Sequence, residues 1–190
     1  MKIIIVRHGQ SEANSKGFHQ GREDEWTDTI LSEEGVKQAI KVAERLSEEK
    51  IDVIYSSSFK RARMTAEEIA RYHNLEIFTD NRITDQLDKE NHEDIIKRCG
   101  DFLGEILEEN KNIAVVAHGS INLALMVLIT KMNREEGGKF FEETSQHNTC
   151  VNILEKENDK FVLKLVNCIK HRGSIEIKSK WENKSKEKIK

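Results

Sequence analysis

The chain has 190 residues, of which 37% are hydrophobic and 34% charged, and its formal net charge is −3. This near balance of charge excludes a nucleic-acid-binding protein that works through a large basic field, and no apolar run reaches the ~20 residues that span a membrane. The apolar run at the N-terminus stops at Val6, which is too short for a signal peptide. We therefore expect a cytoplasmic protein with no nucleic acid and no membrane among its partners.

In chain order, strands alternate with helices. Apolar runs predict four strands, at residues 2–6, 51–55, 75–78 and 113–117. Apolar residues at helical spacing predict the helices between and after them, at residues 36–46, 59–72, 95–107 and 121–129. Ser32 is the expected N-cap of the first of these helices. Two alternating segments, 150–155 and 161–166, predict an antiparallel hairpin.

This order of elements predicts an α/β fold with helices on both faces of the sheet and at least one antiparallel strand from the C-terminal hairpin. No internal repeat and no linker divides the chain. We expect one domain over residues 1–177, followed by a charged, Lys-rich tail over residues 178–190. The three widely spaced cysteines, Cys99, Cys150 and Cys168, predict free thiols rather than disulfides or a zinc site.

Polar residues follow three of the predicted strands at the point where each strand ends. Arg7 and His8 follow the first strand, Arg61 lies in the helix after the second, and His118 and Gly119 follow the fourth. Ligands of open α/β sheets bind at the carboxyl edge, where these strands end. The sequence therefore predicts that two histidines and two arginines converge at one edge of the sheet.

This set of side chains suits a phosphoryl group. The planar guanidinium of arginine binds tetrahedral oxyanions through paired hydrogen bonds, and two arginines at one point repel each other unless an anion lies between them. A neutral histidine can act as nucleophile, and a second can donate hydrogen bonds to the charged oxygens. No metal-binding or nucleotide-binding motif occurs in the sequence, so we expect neither a metal nor another cofactor.

Four segments, in this order along the chain, resemble the signatures of the histidine phosphatase superfamily, in its phosphoglycerate-mutase-like branch. The resemblance extends from residue 3 to about residue 167. Its segments are VRHGQSEAN at 6–14, QG at 20–21 with LSEEG at 31–35, SSSFKRA at 56–62 and VAHGS at 116–120.

The resemblance implies a three-layer α/β/α sandwich and a metal-independent phosphatase that hydrolyses small phosphomonoesters through a phosphohistidine. It implies that His8 attacks phosphorus and that Arg7, Arg61 and His118 hold the phosphate oxygens. The residues that it implies for the rest of the substrate pocket are Asn14, Gln20, Gly21 and Gly119.

The proton donor is the point at which the sequence departs from the family pattern. The family usually has a glutamate there, with glycines shortly downstream. In this chain the segment beginning at Arg82 aligns Asp85 with that glutamate, and the following glycines are missing. Asp85 is the expected donor, with Glu90 or His92 as alternatives, and a solvated loop without a donor is a further interpretation.

Two other functions stay open at the level of sequence. One is a mutase that moves phosphate between two hydroxyl groups, and the other is a weakly catalytic module that binds phosphate or a phosphoprotein. Mutases of the family usually have longer insertions over the site, whereas the segment between Asp80 and Ile113 is short here. This length favours hydrolysis over transfer.

Overall fold

The computed structural model describes residues 1–17, 28–87 and 89–173. The strands are β1 Lys2–Arg7, β2 Val53–Ser57, β3 Ile77–Asp80, β4 Ile113–Ala117, β5 Val151–Glu157 and β6 Lys160–Cys168. They form one six-stranded sheet in the order β3-β2-β4-β1-β5-β6. The first four strands pair in parallel, and β5 and β6 add antiparallel pairs at one side. The α/β fold with a mostly parallel sheet and an antiparallel C-terminal hairpin is therefore confirmed.

Helices cover both faces of this sheet. They are α1 Glu12–Ser15, α2 Glu33–Leu46, α3 Lys60–His73, α4 His92–Ile106, α5 Gly119–Thr130 and α6 Arg134–Glu143. Successive side chains of β1 point to opposite faces, so that Ile3 and Ile5 join one core with α4 and α5, while Ile4 and Val6 join a second core with α2 and α3. One core therefore lies on each face of the sheet, between the sheet and a layer of helices, which gives the predicted three-layer α/β/α arrangement.

The sequence placed two strands two residues too early, at 51–55 and 75–78. β2 and β3 continue into polar residues because the pairs Ser56–Thr79 and Ser57–Asp80 extend their parallel ladder. A prediction based on apolar runs ends before such residues, although their main chains pair as well as those of valine.

Two helices, α1 and α6, were not predicted. The short α1 is capped by Ser11, and α6 begins after Asn133, whose side chain accepts a hydrogen bond from the Glu136 amide. α6 buries only Gly137 and Phe140, so it has no apolar stripe that a periodicity search would find.

Some predictions fall outside the described residues. The Lys-rich tail at 178–190 lies there, as do Gln20 and Gly21. Within the part of the chain that the structure describes, no helix is both long enough and apolar enough to cross a membrane.

The loop after β1 packs tightly against the start of α2. Ser32 caps α2 as predicted by accepting a hydrogen bond from the Gly35 amide, and its own hydroxyl donates to the Gln10 carbonyl oxygen. A Cβ atom on Gly35 would overlap that Gln10 oxygen, and one on Gly9 would lie 2.6 Å from the Gly35 oxygen. The two glycines therefore allow the chain after β1 to lie directly on the helix.

We expect Gly35→Ala to lower the free energy of unfolding by about 1–3 kcal/mol, because the added methyl group must displace the Gln10 main chain. Urea unfolding measures this change. Gly100→Ala is the matched control: nothing lies within 4 Å of its Cβ position in α4, so it should stabilise the protein by up to about 1 kcal/mol. Equal stability of Gly35→Ala and the wild type would show that the contact is not tight.

Candidate active site

The two predicted histidines meet because the strands before them are neighbours. Arg7 at the end of β1 pairs with Ala117 at the end of β4, so that His8 and His118 follow adjacent strands. Their ring centroids lie 5.1 Å apart. Both side chains are buried, with 1% and 0% of their surface exposed, respectively.

The two predicted arginines lie beside these histidines. Arg61, in the first turn of α3, is fully buried, and its Nε atom donates to His8 Nε2 over 3.3 Å. Arg7 donates from Nη1 to the Gln146 carbonyl oxygen, whereas its buried Nε atom has no hydrogen-bond partner among the described residues. A Cβ atom on Gly119 would lie 3.9 Å from this Nε, which places the start of α5 against Arg7.

Main-chain contacts fix the tautomer of His8. Its Nδ1 lies 2.7 Å from the Gly9 carbonyl oxygen. A carbonyl oxygen only accepts, so Nδ1 carries the proton, and Nε2 has the lone pair that accepts the hydrogen bond from Arg61 Nε. The backbone on either side is held as well, because the Gly9 amide donates to Thr65 Oγ1 over 3.0 Å and Asn148 Nδ2 donates to the His8 carbonyl oxygen over 3.1 Å.

The surroundings of His8 keep its ring neutral. Burial has the largest effect and lowers the pKa of His8 well below its usual value, and the nearby charges of His118, Arg7 and Arg61 lower this pKa further. A hydrogen bond to Gly9 opposes the shift only in part. At neutral pH, His8 Nε2 is therefore unprotonated and lies near the positive charges of Arg7 and Arg61.

Asp85 lies within this group. Its Oδ2 accepts a hydrogen bond from Arg61 Nη2 over 2.9 Å and lies 3.4 Å from His118 Nδ1, without hydrogen-bond geometry. Burial alone would raise the pKa of Asp85, but its interactions with His118 and with the Arg61 guanidinium outweigh burial and hold this pKa well below its usual range. The carboxylate is ionised while no other anion is bound.

The two alternative donors have other partners. Glu90 forms an ion pair with Arg98, with Oε1 2.6 Å from Nε. His92 stacks on Phe141, with ring centroids 5.8 Å apart. Neither has a described contact with His8 or His118, so the geometry favours Asp85.

Ser57, at the end of β2, holds the ring of His118. Its hydroxyl lies 2.9 Å from His118 Nε2 and also accepts a hydrogen bond from the Phe59 amide over 3.2 Å. The aromatic ring of Phe59 packs edge-on against His118, and its centroid lies 4.9 Å from the Arg61 guanidinium carbon. Burial lowers the pKa of His118, although the Asp85 carboxylate opposes this shift.

The remaining predicted residues have different positions. Asn14 is linked to His8 indirectly, since its Oδ1 accepts from Asn148 Nδ2 over 3.3 Å and from the Ser11 amide over 3.2 Å. Gly119 is the first residue of α5. Gln20 and Gly21 lie outside the described residues, as noted above.

Sequence reasoning did not select four residues that support the site: Ser57, Thr65, Asn148 and Gln146. Ser57 lies in the third matched segment and follows the second predicted strand, and Thr65 belongs to the continuation of the same match, but neither signal gave them a role. Asn148 and Gln146 belong to the loop before β5, and nothing local distinguishes them from other polar loop residues. Within the described residues, no group of three or more histidine, cysteine, aspartate or glutamate side chains could hold a metal ion.

Comparisons with known proteins agree with this geometry. The family model of the histidine phosphatase superfamily (branch 1) matches residues 3–87 and 82–169. Phosphoserine phosphatase 1 of Hydrogenobacter thermophilus is 49% identical over 83 residues, which cover 44% of this chain and 37% of that protein. Phosphoglycerate mutase-like protein 4 of Arabidopsis thaliana is 31% identical over 176 residues, which cover 92% of this chain and 67% of that protein.

A solved structure supports the fold independently. A mutant of the phosphoserine phosphatase of Entamoeba histolytica, in complex with phosphoserine, superposes with a TM-score of 0.76. Its identity is 22%, and the match covers 90% of this chain and 98% of that one. Together with the family model, which spans nearly all of the described residues, these findings show that the chain belongs to branch 1 of the histidine phosphatase superfamily.

Proposed function

We propose that this protein hydrolyses phosphate monoesters through a phosphohistidine intermediate on His8, without a metal ion. The observation that carries the proposal is the state of His8, a buried, neutral imidazole whose Nδ1 is bound to the Gly9 oxygen and whose Nε2 lies beside Arg61. A neutral imidazole nitrogen held among positive charges is suited to attack an anionic phosphoryl group.

Positive groups surround the position that a phosphoryl group would take. Arg61 and the unpartnered Nε of Arg7 supply donors whose charge does not depend on pH, and His118 supplies a further donor. The Gly119 amide and Asn14 are the proposed neutral donors to the substrate. The signature alone supports the same role for Gln20 and Gly21.

In the first step, His8 Nε2 attacks phosphorus. The N–P bond forms as the P–O bond to the leaving group breaks, and the leaving oxygen takes a proton from Asp85. The equatorial oxygens keep their charge throughout, and Arg7, Arg61 and His118 stabilise it. Water is the nucleophile of the second step, in which its O–P bond replaces the N–P bond and its proton passes to the Asp85 carboxylate.

Asp85 must therefore gain a proton before the first step. The carboxylate is ionised in the unliganded protein because His118 and Arg61 lie beside it. A bound phosphate ester introduces negative charge at the same cations, which raises the pKa of Asp85. An ester that arrives as its monoanion, with a second ionisation near pH 6 for alkyl phosphates, can itself bring the proton.

The test is the hydrolysis of an aryl phosphate from pH 8 to pH 5.5 in the presence of EDTA. We expect phosphate release in EDTA and no acid limb of kcat/KM beginning near pH 6.5, because the lowered pKa of His8 keeps its neutral form present at lower pH. An aryl ester is the suitable probe because its phosphate ionises at lower pH than that of an alkyl ester.

Three outcomes would contradict the proposal. They are the absence of turnover, a requirement for added metal, and a tenfold fall in kcat/KM per pH unit that starts near pH 6.5.

A panel of phosphorylated metabolites then identifies the ester, and phosphoserine and phosphoglycerates belong in it because the relatives carry these names. Formation of a phosphorylated isomer without free phosphate would indicate a mutase instead.

A further inference from the structure

Arg98 has a position that the reaction described above does not explain. It lies on α4, and its side chain is only 16% exposed. A guanidinium has five N–H groups in a fixed plane. In this protein all three nitrogens of the Arg98 guanidinium face acceptors, and every acceptor lies between Arg82 and Glu90, on either side of Asp85.

The contacts of Arg98 fall into two sets. Toward Glu90 it makes a bidentate ion pair, with Nε–Oε1 and Nη2–Oε2 distances of 2.6 and 2.9 Å. Toward the main chain it donates to three carbonyl oxygens: those of Arg82 at 2.6 Å, Thr84 at 2.8 Å and Asp85 at 3.4 Å.

The segment between the 3₁₀ turn Asn81–Ile83 and α4 also has hydrogen bonds of its own, among them those from the Gln86 amide to Asp85 Oδ1 and from the Glu90 amide to the Leu87 carbonyl oxygen. Its described residues form no helix or strand. Inside it, the Leu87 amide donates to Glu90 Oε2 and the Gln86 side chain donates to the Glu90 carbonyl oxygen. Glu90 closes this loop on itself, and Arg98 ties the closed loop to α4.

This arrangement fixes the place of Asp85 without neutralising it. Arg98 binds the main-chain oxygen of Asp85, whereas the carboxylate of Asp85 faces Arg61 and His118. The ion pair with Glu90 balances the charge of Arg98 itself. Moving the guanidinium would therefore change the distance from Asp85 to the leaving group more than the charge around it.

We propose that Arg98 is the positioning residue of the proton donor: it holds the loop so that the Asp85 carboxylate reaches the leaving oxygen. The inference rests on the proposed function, because a proton donor matters only if an ester bond is broken. It also explains how the loop keeps its shape without the glycines that are usual in this family.

The experiment compares two variants on two substrates. Arg98→Lys keeps a positive charge but cannot supply five planar N–H groups, so the loop should shift by a fraction of an ångström or more. We expect kcat/KM to fall about 10²-fold for an alkyl phosphate, which needs a proton on its leaving oxygen. For an aryl phosphate, which needs little protonation, the fall should stay below about threefold.

The matched control is Arg82→Lys. Arg82 lies in the 3₁₀ turn just before the loop, but its guanidinium binds Asp80 and Glu105, and only its main-chain oxygen contacts Arg98. It should change the ratio of alkyl to aryl activity by less than about twofold. The double variant Asp85→Asn/Arg98→Lys should be no slower on the alkyl ester than Asp85→Asn alone. The two substitutions impair the same proton transfer from Asp85, so the second has nothing further to remove.

The outcomes distinguish the positioning role of Arg98 from the proposed function. Equal losses on both esters, or a further loss in the double variant, would overturn the positioning role while the wild type stays active. Failure of the wild type to hydrolyse either ester would overturn the proposed function and, with it, the role of Arg98. If Arg98→Lys does not fold, as judged by circular dichroism, Arg98→Gln repeats the test, since glutamine retains two N–H groups for the carbonyl oxygens.

Discussion

His8→Ala should reduce the hydrolysis of both alkyl and aryl phosphates by about 10⁴-fold or more, because it removes the proposed nucleophile. Good leaving groups should not rescue this variant, since no covalent intermediate can form. Steady-state release of phosphate measures the loss. The fold should survive, because the main-chain contacts of residue 8 with Ala117 and Thr149 do not involve the imidazole.

A chemical trap tests the same prediction. Rapid quenching of the wild type with a labelled phosphate ester should give a labelled protein whose bond is stable in base and labile in acid, as a phosphohistidine is. His8→Ala should give none. His92→Ala is the control, because this exposed histidine at the start of α4 has no described contact with the site and should label normally. Label retained by His8→Ala would place the nucleophile elsewhere.

Asp85→Asn should separate esters by their leaving groups. An alkyl ester should lose about 10²–10⁴-fold in kcat/KM, because its leaving oxygen no longer receives a proton. An aryl ester should change little. Inorganic phosphate should also bind more tightly, since the variant removes the carboxylate that lies 2.9 Å from Arg61 Nη2 in the unliganded protein.

The control for this variant is Asp101→Asn on α4, an exposed carboxylate outside the site, which should leave both esters unaffected. A similar loss on alkyl and aryl esters in Asp85→Asn would show that Asp85 supports the structure of the site rather than transferring a proton. An unchanged rate on both esters would instead favour one of the alternatives from the sequence: Glu90 or His92 as the donor, or no donor in this loop.

The sequence predicted which side chains meet because parallel strands end at one edge of a sheet. It could not predict how near they come, since this depends on strand order. β1 and β4 are more than 100 residues apart in the chain, yet their ladder sets Arg7 opposite Ala117 and brings the rings of His8 and His118 to 5.1 Å. Long-range pairing of this kind leaves no mark in local composition.

The supporting contacts were harder to predict than the reactive groups. Arg98 lies on the helix predicted at 95–107, where an arginine between apolar residues is typical of an exposed face. The structure shows why residue 98 is an arginine: the loop that carries Asp85 lies against α4, and its carbonyl oxygens accept hydrogen bonds from the Arg98 guanidinium. Asn148 gives the same lesson, because its amide reaches His8 across 140 residues of chain.

The contacts between the loop before β5 and the end of β1 have a consequence for biosynthesis. β1 lies between β4 and β5, and the amide of Thr149 donates to the carbonyl oxygens of both Arg7 and His8. A ribosome has already released the first strand long before it translates these partners, at about 5–20 residues per second. A nascent polypeptide therefore contains His8, the proposed nucleophile, but cannot hold it in position until translation passes residue 150, so we expect translation products that end before this point to lack hydrolytic activity.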